Sequence, residues 1–297
     1  MNLHASSTIK EIRQKYNLQL SKSLGQNFIT DGNVIDSIIE GAGVGPDDLV
    51  IEIGPGIGVL TAAAAESAAK VVAIEIDSRL IPILEETLAE YDNIEVINRD
   101  ILKTDLNEIV EEQVRAGAFT GAVRIIGNLP YYITTPIIMQ IFESGVKADS
   151  VTVMMQKEVA ERIEAGPGSK TYGAISACVQ YYCDVEMITK VPKEVFVPRP
   201  KVDSAVLNFK IRKEKPAQLK DEKVFFACIK AGFGKRRKTL LNSLSGVCGL
   251  DKSSVGEILG EAGIDPSRRA ETLGIEEFAA IANLVAERSK AGDMTHE

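Results

Sequence analysis

"LVIEIGPGIGVLT", residues 49–61, runs a mostly apolar pentapeptide straight into three alternating glycines and then a helix-forming stretch. A short run without polar alternation reads as a strand covered on both faces. Gly54, Gly56 and Gly58 allow a sharp turn and a close backbone approach to a ligand, with the next helix N-terminus facing it. Taken alone, a tight turn explains the same glycines. Their spacing discriminates further: dinucleotide binders favour G-x-G-x-x-G, whereas Val59 makes the pattern here G-x-G-x-G. Glu52, beside the glycines, suits a ligand with a cationic ammonium better than a pyrophosphate.

Working outward, "VVAIEI" (71–76), "IEVIN" (94–98), "VRIIGN" (123–128) and "VTVMM" (151–155) read as further strands of the same buried kind. Between them, "DSRLIPILEETLAEY" sets Leu80, Ile83, Leu84 and Leu88 on one helical face. Strand and helix in alternation predict an α/β fold with a parallel, doubly wound sheet. "VEMITKVP" and "SAVLNFKI", joined through "FVPRPKVD", read as a closing antiparallel pair. After the charged linker "RKEKPAQLKDEK" the patterns are helical. The boundary falls near Lys213, giving residues 1–213 as the ligand-binding domain, with an N-terminal helical extension, and 214–297 as a smaller all-helical domain. Thr8-x-x-Glu11 resembles a capping box at the start of that extension.

The 297 residues, 45% hydrophobic and 26% charged, suit a globular chain, and no run of eighteen apolar residues predicts a membrane span. Cys178, Cys183, Cys228 and Cys248 form no C-x-x-C pair, which fits a reducing cytoplasm and no zinc cluster. The two histidines, His4 and His296, lie near the ends of the sequence, which excludes most chemistry built on an imidazole base or metal ligand inside a pocket, and no metal is expected. The net charge is −8, yet residues 192–240 hold fourteen Lys+Arg against five Asp+Glu, a local +9. The other residues hold 20 basic against 37 acidic side chains. That asymmetry predicts a basic, nucleic-acid-facing segment on an acidic body, although a solvated charged surface accounts for it equally well.

The ends of the next strands sharpen the ligand. Glu75 closes the second strand, where an acid can accept both ribose hydroxyls. Asp100 comes after the third and is placed to accept from an adenine amino group, with Ile76 and Ile101 on either side of the ring. Together with the glycine loop, these acids describe S-adenosylmethionine. "GNLPYYITTPI" (127–137) comes after the fourth strand, beside the expected methyl group. An exocyclic amine such as adenine N6 is a poor nucleophile because its lone pair is delocalised into the ring. Hydrogen bonds accepted by the Asn128 amide oxygen and the Leu129 carbonyl would localise that pair. Pro130 stiffens the turn and Tyr131 offers a stacking face.

Four motifs carry a resemblance: "SLGQNFI" (23–29), "IEIGPGIGVLT" (51–61), "GNLPYYITTPI" (127–137) and "FVPRPKVDSAV" (196–206), with "FGKRRKTL" (233–240) extending it. Their order and spacing across nearly the whole chain resemble the rRNA adenine N6,N6-dimethyltransferase family in its bacterial small-subunit type. The resemblance implies a Rossmann-like S-adenosylmethionine-dependent methyltransferase sheet with an appended helical domain. It assigns Gln26, Asn27 and Ile29 to the cofactor pocket, the last in place of the family's usual leucine, and makes Phe196 a second stacking face opposite Tyr131. Arg199, Lys201, Lys235, Arg236, Arg237 and Lys238 become phosphate contacts. The implied substrate is two adjacent adenosines in a hairpin near the 3′ end of 16S rRNA, within the immature small ribosomal subunit, modified by a cytoplasmic monomer. Alternatives are a large-subunit rRNA methyltransferase related to macrolide resistance, a non-catalytic assembly factor, and a dinucleotide-dependent oxidoreductase that the glycine spacing disfavours.

Overall fold

The computed structural model describes residues 2–19, 25–235 and 237–293. The strands are β1 (Phe28–Ile29), β2 (Leu49–Ile53), β3 (Lys70–Glu75), β4 (Ile94–Asn98), β5 (Val123–Asn128), β6 (Ser150–Gln156), β7 (Cys183–Val191), β8 (Phe196–Val197) and β9 (Ser204–Ile211). The helices of the first two-thirds are α1 (Ser6–Lys15), α2 (Gly32–Ala42), α3 (Val59–Ala65), α4 (Ile81–Thr87), α5 (Leu106–Arg115), α6 (Thr134–Glu143), α7 (Lys157–Glu164) and α8 (Ala174–Tyr182). Then come α9 (Glu222–Gly234), α10 (Leu240–Ser243), α11 (Lys252–Glu261) and α12 (Ile275–Asp293). The chain forms two compact units, 1–160 with 184–211, and 161–183 with 212–297.

The first unit is built on a seven-stranded sheet in the order β4-β3-β2-β5-β6-β9-β7. β2 pairs in parallel with β3 on one side and β5 on the other, while β9 closes antiparallel on β6. The chain order therefore reverses between β2 and β5, and crevices at the carboxyl ends of strands form at such switch points. All five residues of β2 are buried, Glu52 among them, as its mostly apolar run predicts. One core cluster joins α2, through Ile35, Ile38 and Ile39, to Val50, Val71 and Ile126. A second joins Ile9 and Ile12 of α1 to Leu80, Ile83, Leu84 and Leu88, the helical face expected from their spacing. Ile76, expected as the last residue of its strand, lies one residue beyond β3 and is 53% exposed.

Two local expectations change. α1 begins at Ser6 with Ala5 at its N-cap and no side-chain cap, so Thr8 sits inside the first turn and closes no capping box. The Ala5 carbonyl already accepts from the Ile9 amide, which starts the helix ahead of Thr8. Secondly, 161–183 precede the expected boundary near Lys213 yet pack in the helical unit. There Tyr181 meets Phe225 at 4.9 Å between ring centroids, and the Tyr172 hydroxyl donates to the Leu273 carbonyl at 3.1 Å. Lys215, from the charged linker, lies 4.1 Å over the Tyr182 ring. Local charge and periodicity carry no signal for such contacts between distant segments.

Candidate active site

At the switch point β2 and β5 end side by side, with Ile53 opposite Gly127. The strands come so close there that a side chain at 127 would stand 2.7 Å from the Ile53 carbonyl oxygen. Their ends, with those of β3 and β4, border a solvent-open cleft. Every residue expected to touch the cofactor lines it: Gln26, Asn27 and Ile29 from the N-terminal side, Glu52, Gly54 and Gly56 from the loop after β2, and Glu75, Ile76, Asp100, Ile101 and Asn128 from the remaining strand ends.

The glycine loop is shaped by backbone geometry. Gly54 has φ +71° and nothing within 4 Å of where a side chain would begin, which leaves room for close approach to the backbone. Gly58, φ +90°, caps α3, and a Cβ there would lie 2.9 Å from Leu88 Cδ2, so it lets α3 pack against α4.

Two acids line the cleft from within the fold. Glu52 is 1% exposed and accepts from the Thr61 hydroxyl at 2.5 Å. Burial pushes its carboxyl up to about 8, with the nearby Glu75 adding to the rise. Glu75 Oε1 accepts from the Asp77 amide at 2.8 Å and Oε2 from the Gly56 amide at 3.4 Å. Its burial also raises its carboxyl above the usual range, opposed by those amides. Asp100 accepts from the Leu102 amide with Oδ1 at 3.0 Å, starting the short 3₁₀ turn that carries Ile101. Ile76 is half-exposed and Ile101 buried, so together they supply apolar surface at the cleft.

The "NLPY" turn is held from both sides. Asn128 Nδ2 donates to the Asn27 carbonyl at 2.9 Å, and the Leu129 amide donates to the Met154 carbonyl at 3.2 Å. Pro130 lines the cleft, and its carbonyl accepts from the Ile133 amide and the Thr134 hydroxyl, which begins α6. Tyr131 is half-buried, with its hydroxyl 2.7 Å from Ser204 Oγ, and burial raises that hydroxyl above the ordinary tyrosine value. The aromatic ring that lines the cleft is that of the next residue, Tyr132, which is 58% exposed. Adjacent tyrosines at a turn look alike in sequence.

Phe196 does not take the expected position. It is 2% exposed and packs with Ile29 in the core. Pairing explains this: β8 lies antiparallel to β1 with Ile29 opposite Phe196, and Thr30 bonds the Val195 carbonyl through both amide and hydroxyl. Phe196 thus joins the "QNF" and "FVPRP" motifs instead of presenting a free face. Among the expected phosphate contacts, Arg199 is exposed and paired with Glu194, and Lys201, Lys235, Arg237 and Lys238 are exposed. Arg236 lies outside the described residues. The basic segment is shared between the two units. Asp77 and Arg79 carried no signal in the sequence, yet Asp77 bonds both Gln26 and Arg79 behind the cleft.

A family model for ribosomal RNA adenine dimethylase matches residues 17–287. The relative from Clostridioides difficile, named ribosomal RNA small subunit methyltransferase A, is 50% identical over 283 residues, covering 95% of this chain and 96% of its own. The relative of the same name from Alkaliphilus metalliredigens is 53% identical, covering 95% and 97%. Among solved structures, a dimethyladenosine transferase from Plasmodium falciparum matches with TM-score 0.74 at 25% identity, covering 89% of this chain and 98% of that one. The 23S rRNA methyltransferase ErmE matches at 0.66 and 26% identity, covering 87% and 99%. With its seven-stranded Rossmann-like sheet, this chain belongs to the ribosomal RNA adenine dimethylase family of S-adenosylmethionine-dependent methyltransferases.

Proposed function

We propose that the chain dimethylates N6 of two adjacent adenosines in a hairpin near the 3′ end of small-subunit (16S) rRNA, within the immature subunit. The observation that carries this reading is the Asn128 amide, whose nitrogen is committed to the Asn27 carbonyl at the cleft. Relatives named for the small-subunit reaction are 50% and 53% identical, against 26% for the 23S enzyme, which favours the small subunit.

The residues at the cleft fit S-adenosylmethionine. Ile76 and Ile101 supply apolar surface for a flat base, Glu75 and Asp100 supply acceptors, and the open space at Gly54 admits an atom against the backbone. Glu52 supplies a carboxyl for a cationic ammonium. When bound, the cofactor supplies a methyl group on a positively charged sulfur. This chain's part is to hold the amine that receives it. Asn128 Oδ1 and the Leu129 carbonyl accept hydrogen bonds from N6, localising its lone pair as the nitrogen becomes tetrahedral. Methylation makes that nitrogen acidic, so its proton leaves to water and no histidine is required. Orientation and electrostatics supply the rate.

The base stacks on Tyr131, which stands between the cleft-lining Pro130 and Tyr132 with its hydroxyl anchored at Ser204. The base must leave its stack to reach the cleft, which suits a hairpin loop. The unit of residues 1–160 and 184–211 carries the methyltransferase cleft, and the helical unit of 161–183 with 212–297 binds RNA or ribosome. Arg199, Lys201, Lys235, Arg236, Arg237 and Lys238 contact phosphates. The protein works as a cytoplasmic monomer; no helix among the described residues is long and apolar enough to cross a membrane.

Incubation with unmethylated small subunits and labelled cofactor, followed by mass spectrometry of digested RNA, tests the reading. N6,N6-dimethyladenosine at two adjacent positions of the small-subunit RNA is expected. Methylation confined to large-subunit RNA, or none, overturns it.

A further inference from the structure

Asp77 is 7% exposed and does not itself line the cleft, yet it is bonded to two residues that do. Its backbone amide donates to Glu75 Oε1 at 2.8 Å. Its Oδ2 accepts from Gln26 Nε2 at 2.8 Å. Arg79 grips the same carboxylate, with Nη2 at 2.7 Å from Oδ2 and Nε at 2.8 Å from Oδ1, and its own amide donates to Oδ1 at 3.1 Å. Arg79 Nη1 also reaches the Gln19 carbonyl at 3.4 Å. Thus one carboxylate, 51 residues away in sequence, holds the Gln26 side chain to the end of β3. A buried charge with a bidentate arginine partner has a fixed orientation, and a bond made to it inherits that orientation. Arg79 also holds the Asp77 carboxyl below the usual carboxylate range, so the acceptor stays ionised at neutral pH.

We propose that Asp77 is a positioning residue for the methyl-donor site: it holds Gln26 and Glu75 in one arrangement, so that two walls of the cleft are set before the cofactor arrives. This rests on the proposal that the cleft takes S-adenosylmethionine. An empty site already in its binding arrangement spends less of its interaction energy on ordering.

The test is a double-mutant cycle read by calorimetry with S-adenosylhomocysteine on the full-length protein. Asp77→Ala is expected to weaken binding about tenfold, the size of a lost hydrogen bond to a charged group. Gln26→Ala should weaken it too, and the double variant should bind no worse than Asp77→Ala, because the two act as one unit. Asp77→Asn, which keeps an acceptor for Gln26, should recover part of the loss. In turnover assays the change should fall on the KM for cofactor, with kcat nearly kept. A merely structural role would lower the melting temperature without coupling to Gln26. Wild-type affinity in Asp77→Ala, or additive losses, overturns the proposal. If Asp77→Ala does not fold, Arg79→Ala with Gln26→Ala forms the same cycle on exposed and half-exposed positions, with the same outcomes deciding. A wild-type protein that binds no S-adenosylhomocysteine overturns the cofactor reading itself, and this inference with it.

Discussion

The side-chain amide of Asn128 donates from Nδ2 to the backbone carbonyl of Asn27 across 101 residues, at 2.9 Å. A carbonyl can only accept, so the amide nitrogen must face Asn27 and Oδ1 must face away from it. The "QNF" motif therefore sets the direction of the acceptor in the "NLPY" motif. Asn128→Ala should lower turnover by ~10²-fold, as for other oriented polar groups at reaction centres, while cofactor affinity changes little. Asn128→Asp keeps the shape but lacks the donor, and should lose comparable activity. Steady-state kinetics beside calorimetry would show both, and near-normal turnover in either variant removes Asn128 from its role.

Glu52 makes stability depend on pH. Its carboxyl moves from the ordinary 4.5 to about 8 in the folded protein. Between those values the native state retains a proton that the unfolded chain has released, so stability falls as pH rises from about 4.5 to 8. The loss should be on the order of a few kcal/mol, and the upward shift of Glu75 acts with the same sign. Glu52→Gln should flatten this part of a plot of melting temperature against pH and raise its value near pH 8. An unchanged slope in that variant would refute the assignment.

Gly54 and Gly58 should separate binding from folding. Alanine at 58 meets both a positive φ and a 2.9 Å contact with Leu88, and should destabilise by about 2–4 kcal/mol. At 54 alanine meets strain only, about 1 kcal/mol, because no atom lies within 4 Å. Its methyl group would instead occupy the open space at the cleft. Denaturant midpoints and cofactor affinity should therefore respond in opposite order in the two variants.

Tyr131 and Phe196 should also part company. Phe196→Ala removes a ring that is 2% exposed and should cost about 3–5 kcal/mol of stability, so its activity loss would track unfolding. Tyr131→Phe keeps the ring and gives up the bond to Ser204, costing about 1 kcal/mol with turnover largely retained. Equal stability of Phe196→Ala and wild type would show that residue 196 is free to meet the base after all.

Much of this site was legible because it hangs on strand ends. β2 and β5 are readable from short, mostly apolar runs, and in a parallel sheet neighbouring strands deliver their C-terminal loops to one edge. Glu52, Gly54, Glu75, Asp100 and Asn128 each lie at such an end or within two residues of it, so local pattern placed them at one cleft. The short pairing of β1 with β8, which buries Phe196, joins segments far apart in the chain and leaves no local periodicity.

By itself, then, the order of residues determined the alternating α/β sheet, the glycine loop and the acids at the strand ends, since these depend on contacts within a few residues and on the handedness of strand–helix–strand connections. Tertiary structure alone decided which way side chains at turns point: Tyr132 toward the cleft, Tyr131 toward Ser204, Phe196 into the core, and Asp77 onto Gln26. Turn side chains have no repeating period, so their direction is set by whichever distant partner the packed chain brings within reach.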